Sequence, residues 1–126
     1  MIIGRRIMPK LTIQDHGTFD VPVGTRLVKA IENQGINILH RCGGYAKCTT
    51  CRVEFLAGEP GKMTKAEQKK WRDRGESGLR LSCQLTVEED MTIRVLNTLE
   101  STNLDDPGDP PDEQITPEPE WIELDR

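Results

Sequence analysis

Residues 41–51 read RCGGYAKCTTC, which places three cysteines within ten positions; the fourth, Cys83 in RLSCQ, follows after 31 intervening residues. A chain with only four cysteines that spends three of them in one short stretch is strongly constrained. It must carry a loop over 36–51, where neither a helical nor a strand period is sustained, and it must return a later segment to that loop. Two disulfides, a metal centre and four unrelated thiols are the readings open to such a pattern.

The rest of the chain narrows them. A length of 126 residues suits one domain with a core that needs no disulfides to hold it. The apolar runs fall far short of the roughly 20 residues that span a bilayer, and the opening MIIGRRIMPK lacks the apolar block of a secretory signal. We therefore expect a cytoplasmic protein with no membrane role. A reducing compartment keeps ordinary thiols unpaired, which favours metal binding over disulfides for a tight cysteine group. Nucleic-acid binding calls for a positive excess with interleaved aromatics; the net charge is −4 and aromatics make up 4%, so no nucleic-acid partner is expected.

That net charge conceals an asymmetry. From Glu100 onward there are ten acids against the single base Arg126, whereas the first 99 residues hold 11 acids and 16 bases. The segment 100–126 also holds five of the eight prolines, the composition of extended or disordered chain. The expected division is 1–99 as the folded domain and 100–126 as an acidic, Pro-rich extension, with Trp121 and Ile122 as anchors at its end. The extension is expected to lie across the basic helix described next and to regulate docking there.

Within 1–99, Ile7, Pro9, Leu11 and Ile13 alternate with Met8, Lys10 and Thr12, and Phe19, Val21 and Val23 resume the alternation after QDHG. This predicts a β-hairpin, with Pro9 at an edge or strand start. TRLVKAIENQG sets Leu27, Val28 and Ile31 on one helical face and stops at Gly35, an amphipathic helix of about three turns. RVEFL from Arg52 predicts a strand. TKAEQKKWRDRG begins with Thr64 and has Glu67 three residues later, the capping-box signature of a second helix, basic and superficial, ending near Gly75. GLRLSCQL and MTIRVL supply the final strand-like segments.

Structural zinc sites commonly take two ligands from each of two short knuckles, whereas these cysteines divide three and one. A 2Fe-2S cluster suits a wrapping loop better, since its sulfur atoms accept hydrogen bonds from surrounding backbone N–H groups. Gly43 and Gly44 would let the main chain come close to them, and Lys47, Thr49 and Thr50 would add donors. CGGYAKCTTCRV with the later RLSCQ resembles the cluster-binding sequence of the plant- and vertebrate-type 2Fe-2S ferredoxins. Five residues between Cys42 and Cys48 and two between Cys48 and Cys51 make it similar to the adrenodoxin-like and bacterial C-x5-C-x2-C branch, over about residues 7–97.

That resemblance implies an α+β, β-grasp fold: a mixed sheet, an amphipathic helix packed on it and a cluster-binding loop. It implies one 2Fe-2S cluster held by Cys42, Cys48, Cys51 and Cys83, with the more exposed iron on Cys42 and Cys48. The implied function is that of a soluble one-electron carrier, not itself an enzyme and expected to be monomeric. Its partners would be a ferredoxin reductase and an acceptor such as an oxygenase, a P450 or the iron–sulfur assembly system. Two departures stand out: Lys62, Lys65, Lys69, Lys70, Arg72 and Arg74 make basic the helix that the family commonly presents as an acidic docking surface, and the extension is long for a carrier. The alternatives are a zinc-stabilised interaction module and a redox-sensing 2Fe-2S regulator. His40, two residues from Cys42, raises a Rieske-type reading, but four cysteines already suffice, and it is expected to be a loop residue hydrogen-bonding near the cluster. Arg41 and Tyr45 flank the site.

Overall fold

The computed structural model describes residues 8–46, 49–75 and 78–124. The expected hairpin forms from β1 (Lys10–Ile13) and β2 (Gly17–Asp20), paired antiparallel with Leu11 opposite Phe19. Leu11 and Ile13 are fully buried while Lys10 is exposed, so the period-two pattern points one face inward as read. Ile7, assigned to the same run, lies outside the described residues.

The first helix is shorter than its sequence pattern predicts. Thr25–Arg26 is strand β3, and the helix α1 occupies only Leu27–Glu32. The reason is a competing partner: β3 pairs antiparallel with β7 (Thr86–Val87), which claims the first two residues for a ladder. Beyond Glu32 the chain turns through Gly35, whose N–H donates to the Glu32 carbonyl. Leu27, Val28, Ala30 and Ile31 still pack into the core.

After the cysteine loop come β4 (Arg52–Ala57), β5 (Lys62–Thr64) and α2 (Lys65–Arg74). Then follow β6 (Arg80–Leu81), a 3-10 turn at Ser82–Gln84, β7, and β8 (Met91–Val95). The main sheet has the order β2-β1-β8-β4-β6. Its central pair β1 and β8 is parallel and its other pairs are antiparallel. Helix α1 packs beside this mixed sheet, its buried residues sharing one core with Leu11, Ile13, Val53 and Ile93. The α+β, β-grasp arrangement is therefore the one expected.

The second helix differs from expectation in one respect. Thr64 Oγ1 accepts from the Glu67 N–H at 3.1 Å, the cap predicted, and Gly75 closes the helix in the left-handed region. Glu67 does not complete the box by reaching back; its carboxylate turns inward and is fully buried with Trp71. It accepts from Trp71 Nε1 at 3.1 Å, Arg80 Nε at 3.0 Å, Arg80 Nη2 at 3.2 Å and the Leu81 N–H at 2.8 Å. The helix is basic on its outer side and anchored by a buried ion pair on its inner side, so it is not merely superficial.

The extension departs further from its composition. It starts within the short helix α3 (Leu99–Thr102), which is capped by Thr98, and carries near its end β9 (Trp121–Glu123), which pairs antiparallel with β5. Trp121 stacks under Lys62 Nζ, 4.5 Å from the ring centroid, and Ile122 packs on the core, so both expected anchors hold. Between these ends, His40 N–H donates to the Pro107 carbonyl and Arg41 Nη1 to the Asp106 carbonyl. The extension thus crosses the start of the cysteine loop instead of lying along the basic helix, which it meets at Lys65. Backbone bonds to fixed partners supply what low hydrophobicity does not.

Candidate iron–sulfur site

Two of the predicted ligands are brought together by strand pairing. Arg52 of β4 lies opposite Leu81 of β6, which places Cys51 and Cys83 at the same end of that pair. Ser82 fastens the junction, its N–H and Oγ donating to the Cys51 carbonyl at 3.2 and 2.7 Å. The two thiols are buried and hydrogen-bonded to one another. That bond, with burial, pushes the Cys51 thiol well above its ordinary range; as acceptor, Cys83 is held lower, helped by the Gln84 amide and the Arg26 charge against the effect of burial. Cys42 is half-exposed and close enough for its charge to act on Cys83. Cys48 and Lys47 lie outside the described residues. None of the three described cysteines is in a disulfide. Among the described residues, no three His, Cys, Asp or Glu side chains form a group that could hold a metal ion.

The loop backbone is unusual. Gly43, Gly44, Ala46 and Thr49 all have φ between +58° and +90°. Left-handed residues in a tight loop are the backbone type from which anion-binding concavities are built; the Gly43 N–H itself is bonded to the His40 carbonyl at 2.8 Å. Ala46 and Thr49 adopt this conformation at a cost, since a Cβ disfavours it. Gly44 has a second constraint: a Cβ there would meet Arg26 Nη2 at 2.8 Å and Pro111 Cβ at 2.9 Å. Two neighbouring buried thiols, a third at the rim and a loop rich in left-handed residues fit a cluster with bridging sulfides. Thr50 Oγ1 accepts from the Arg41 N–H at 3.0 Å and Thr49 Oγ1 from Arg52 Nη2 at 3.4 Å; a hydroxyl that accepts keeps an O–H of its own to donate.

The SCQ triplet acquires a physical reason here. Gln84 is fully buried; its Nε2 donates to the Thr116 carbonyl at 2.8 Å and its Oε1 accepts from Thr64 Oγ1 at 2.6 Å. Residues on both sides of Cys83 therefore lock its position against β4, the second helix and the extension. His40 is also buried, with Nε2 2.6 Å from Glu32 Oε2. Burial opposes its charge, but the Glu32 carboxylate outweighs that and raises its pKa. It is a bridge between loop and helix. Tyr45 is exposed on the loop.

Sequence reasoning missed Arg26. It is 1% exposed, and its Nε donates to the Cys83 carbonyl at 2.8 Å while Nη2 donates to the Gly44 carbonyl at 2.6 Å. Nη1 donates to the main-chain oxygens of Asp112 and Gln114 at 2.8 and 3.0 Å, and Nη2 reaches Thr116 Oγ1 at 3.4 Å. Its place beside the apolar face of α1, four residues before buried Ala30, was the available signal.

Residues 11–88 match a family model described as the 2Fe-2S iron–sulfur cluster binding domain. The chain is 36% identical over 88 residues to one of the subunits of the Na(+)-translocating NADH-quinone reductase of Marinomonas sp., and 34% identical over 93 residues to the same component in Methylococcus capsulatus. Each match covers 68% of this chain and 21% of the relative, so the chain spans about a fifth of these curated relatives. Among solved structures, the ISC-like 2Fe-2S ferredoxin of Pseudomonas putida superposes with a TM-score of 0.59 at 27% identity, covering 71% of this chain and 93% of that one. The ferredoxin reductase in carbazole 1,9a-dioxygenase shares the fold, with a TM-score of 0.57 at 21% identity over 74% of this chain and 30% of that one.

Proposed function

Because the chain belongs to the 2Fe-2S iron–sulfur cluster binding domain family, we propose that it is a one-electron carrier whose single cluster is held by Cys42, Cys48, Cys51 and Cys83. The observation that carries the ligand set is the meeting of Cys51 and Cys83, distant in sequence, as a buried thiol pair within electrostatic reach of rim-exposed Cys42. When bound, the cluster supplies a site that accepts and releases one electron, at a low potential because four thiolates leave it anionic. The chain's own part is to exclude water around Cys51 and Cys83, to aim N–H groups through the left-handed loop, and to leave the Cys42 side accessible.

The carrier transforms no substrate of its own. It exchanges electrons with a ferredoxin reductase and with an acceptor such as an oxygenase, a P450 or the iron–sulfur assembly system. Relatives named as reductase components and a reductase with the same fold support a reductase-type neighbour. We place it in the cytoplasm as a monomer; no helix among the described residues is long and apolar enough to cross a membrane. Residues 1–99 form the ferredoxin unit and 100–126 an extension upon it.

Visible absorption, acid-labile sulfide analysis and electron paramagnetic resonance test this directly. The expected result is a coloured protein with two irons and two sulfides per chain that becomes paramagnetic on uptake of one electron. Replacing Cys83 by Ser should bleach or shift the spectrum. A colourless chain holding one zinc and no sulfide would overturn the proposal.

A further inference from the structure

Arg26, the cation buried against the cysteine site, has no anion of its own among the described residues. A guanidinium has five N–H donors and stays charged at any pH the fold tolerates. In Arg26 all five are used, and every acceptor is neutral: four main-chain carbonyls and one threonine hydroxyl. Asp112 is an acid, yet it offers Arg26 its main-chain oxygen while its side chain stands exposed. Carbonyl dipoles solvate the charge without cancelling it, and a buried charge left uncancelled is costly. The cation is held by the Cys83 carbonyl on one side and by Gly44, two residues after Cys42, on the other. An anionic group bound by these cysteines is the compensation such an arrangement calls for.

The same guanidinium is also the fastening of the extension. Three of its five bonds go to Asp112, Gln114 and Thr116, and the other two go to the segments that carry Cys42 and Cys83. We propose that Arg26 is a positioning residue serving as the counter-charge of the iron–sulfur site, and that through it the docking of residues 112–116 is coupled to the redox state of that site. This rests on the one-electron carrier reading. Adding an electron deepens the negative charge facing Arg26 and favours its buried position. That position needs the carbonyls of the extension, so reduction tightens the extension and, by reciprocity, a docked extension raises the potential.

Potentiometric titration of the intact, cluster-loaded chain and its Arg26→Gln and Arg26→Lys variants tests the charge. Arg26→Gln should lower the reduction equilibrium constant at least tenfold, a potential about 59 mV more negative for one electron. Arg26→Lys keeps the charge but has three donors for five acceptors. It should hold the equilibrium constant within about threefold of the original while hydrogen exchange over 105–118 accelerates. A Gln variant within twofold of the original chain, or a Lys variant displaced as far as the Gln variant, overturns the counter-charge role.

Should Arg26→Gln fail to retain its cluster, the unaltered chain provides the second test. Exchange over 105–118 should be several-fold slower after reduction with dithionite than before it, and equal rates overturn the coupling. The carrier reading survives each of these failures, because colour and one-electron uptake are scored separately. An unaltered chain lacking both would remove it, and this inference with it.

Discussion

Arg80 and Arg26 are both fully buried arginines that tie distant segments together, but they are neutralised differently. Arg80 donates to the Glu67 carboxylate from Nε and Nη2 and to Glu59 from Nη1, and adds the carbonyls of Pro60 and Lys62. Its charge is cancelled within the protein, between β6 and the second helix. Arg26 meets only neutral oxygens. A buried cation with its own carboxylate is complete before any cofactor arrives, whereas one surrounded by carbonyls beside a cysteine site is completed by what the site binds. The first kind holds the fold and the second ties fold to cargo.

The sharpest way to break this contrast is to remove the anion from the complete pair. Glu67→Gln keeps the shape but removes the anion that Arg80 meets with two of its nitrogens, leaving only part-exposed Glu59 at Nη1, and should destabilise the chain by up to about 3–5 kcal/mol. Urea unfolding should register that loss with the cluster present and after its removal alike. A cost confined to the cluster-bound form would mean that the two arginines are not distinct in kind.

A smaller effect should touch only the Arg26 side. A Cβ on Gly108, at φ +111°, would lie 2.5 Å from the His40 carbonyl oxygen and 2.7 Å from Arg41 Cα, both rigid main chain. Gly108→Ala should therefore lift the extension from the cysteine loop at about 1–3 kcal/mol. Faster amide exchange at His40, whose N–H is bonded to Pro107, should report it, while the Leu81 amide held by Glu67 stays as protected as before.

The smallest effect concerns the root of the extension. Glu100 accepts from Asn37 Nδ2 at 3.0 Å, and this bond holds its carboxyl below the usual range. A lowered native value stabilises the fold above the unfolded pKa, and the gain disappears as pH falls through the native one. Acidification from neutral to below the ordinary carboxylate range should loosen Leu99–Thr102 slightly, and Asn37→Ala should weaken that dependence. Amide exchange at Leu99, bonded to the Asn37 carbonyl, follows it.

The parts legible in the sequence were those written in local spacing. Leu11 and Ile13 announced the hairpin, Thr64 and Glu67 the start of the second helix, and the cysteine spacing the family. What spacing could not convey was where charged side chains would go. Spacing alone makes Glu67 a cap because its partner at position 64 is near in sequence; Arg80, 13 residues away, captures its side chain instead. Arg26 finds its acceptors 18, 57 and 86 to 90 residues away, beyond any periodic signal. The extension's composition predicts extended or disordered chain for the same reason, since its order comes from carbonyls offered to a distant guanidinium and from pairing with β5. The pattern predicts a longer first helix than forms because Thr25–Arg26, helical by pattern, has a strand partner in Thr86–Val87.

The chain contains two tryptophans, and they fall one to each region. Trp71 is buried with its indole N–H on Glu67, while Trp121 stands at the end of the extension, partly in solvent beneath Lys62. Their surroundings differ in polarity, so their emission colours should differ too. Replacing either one by phenylalanine leaves a single-site optical gauge, one for the body and one for the clasp, with no label to attach.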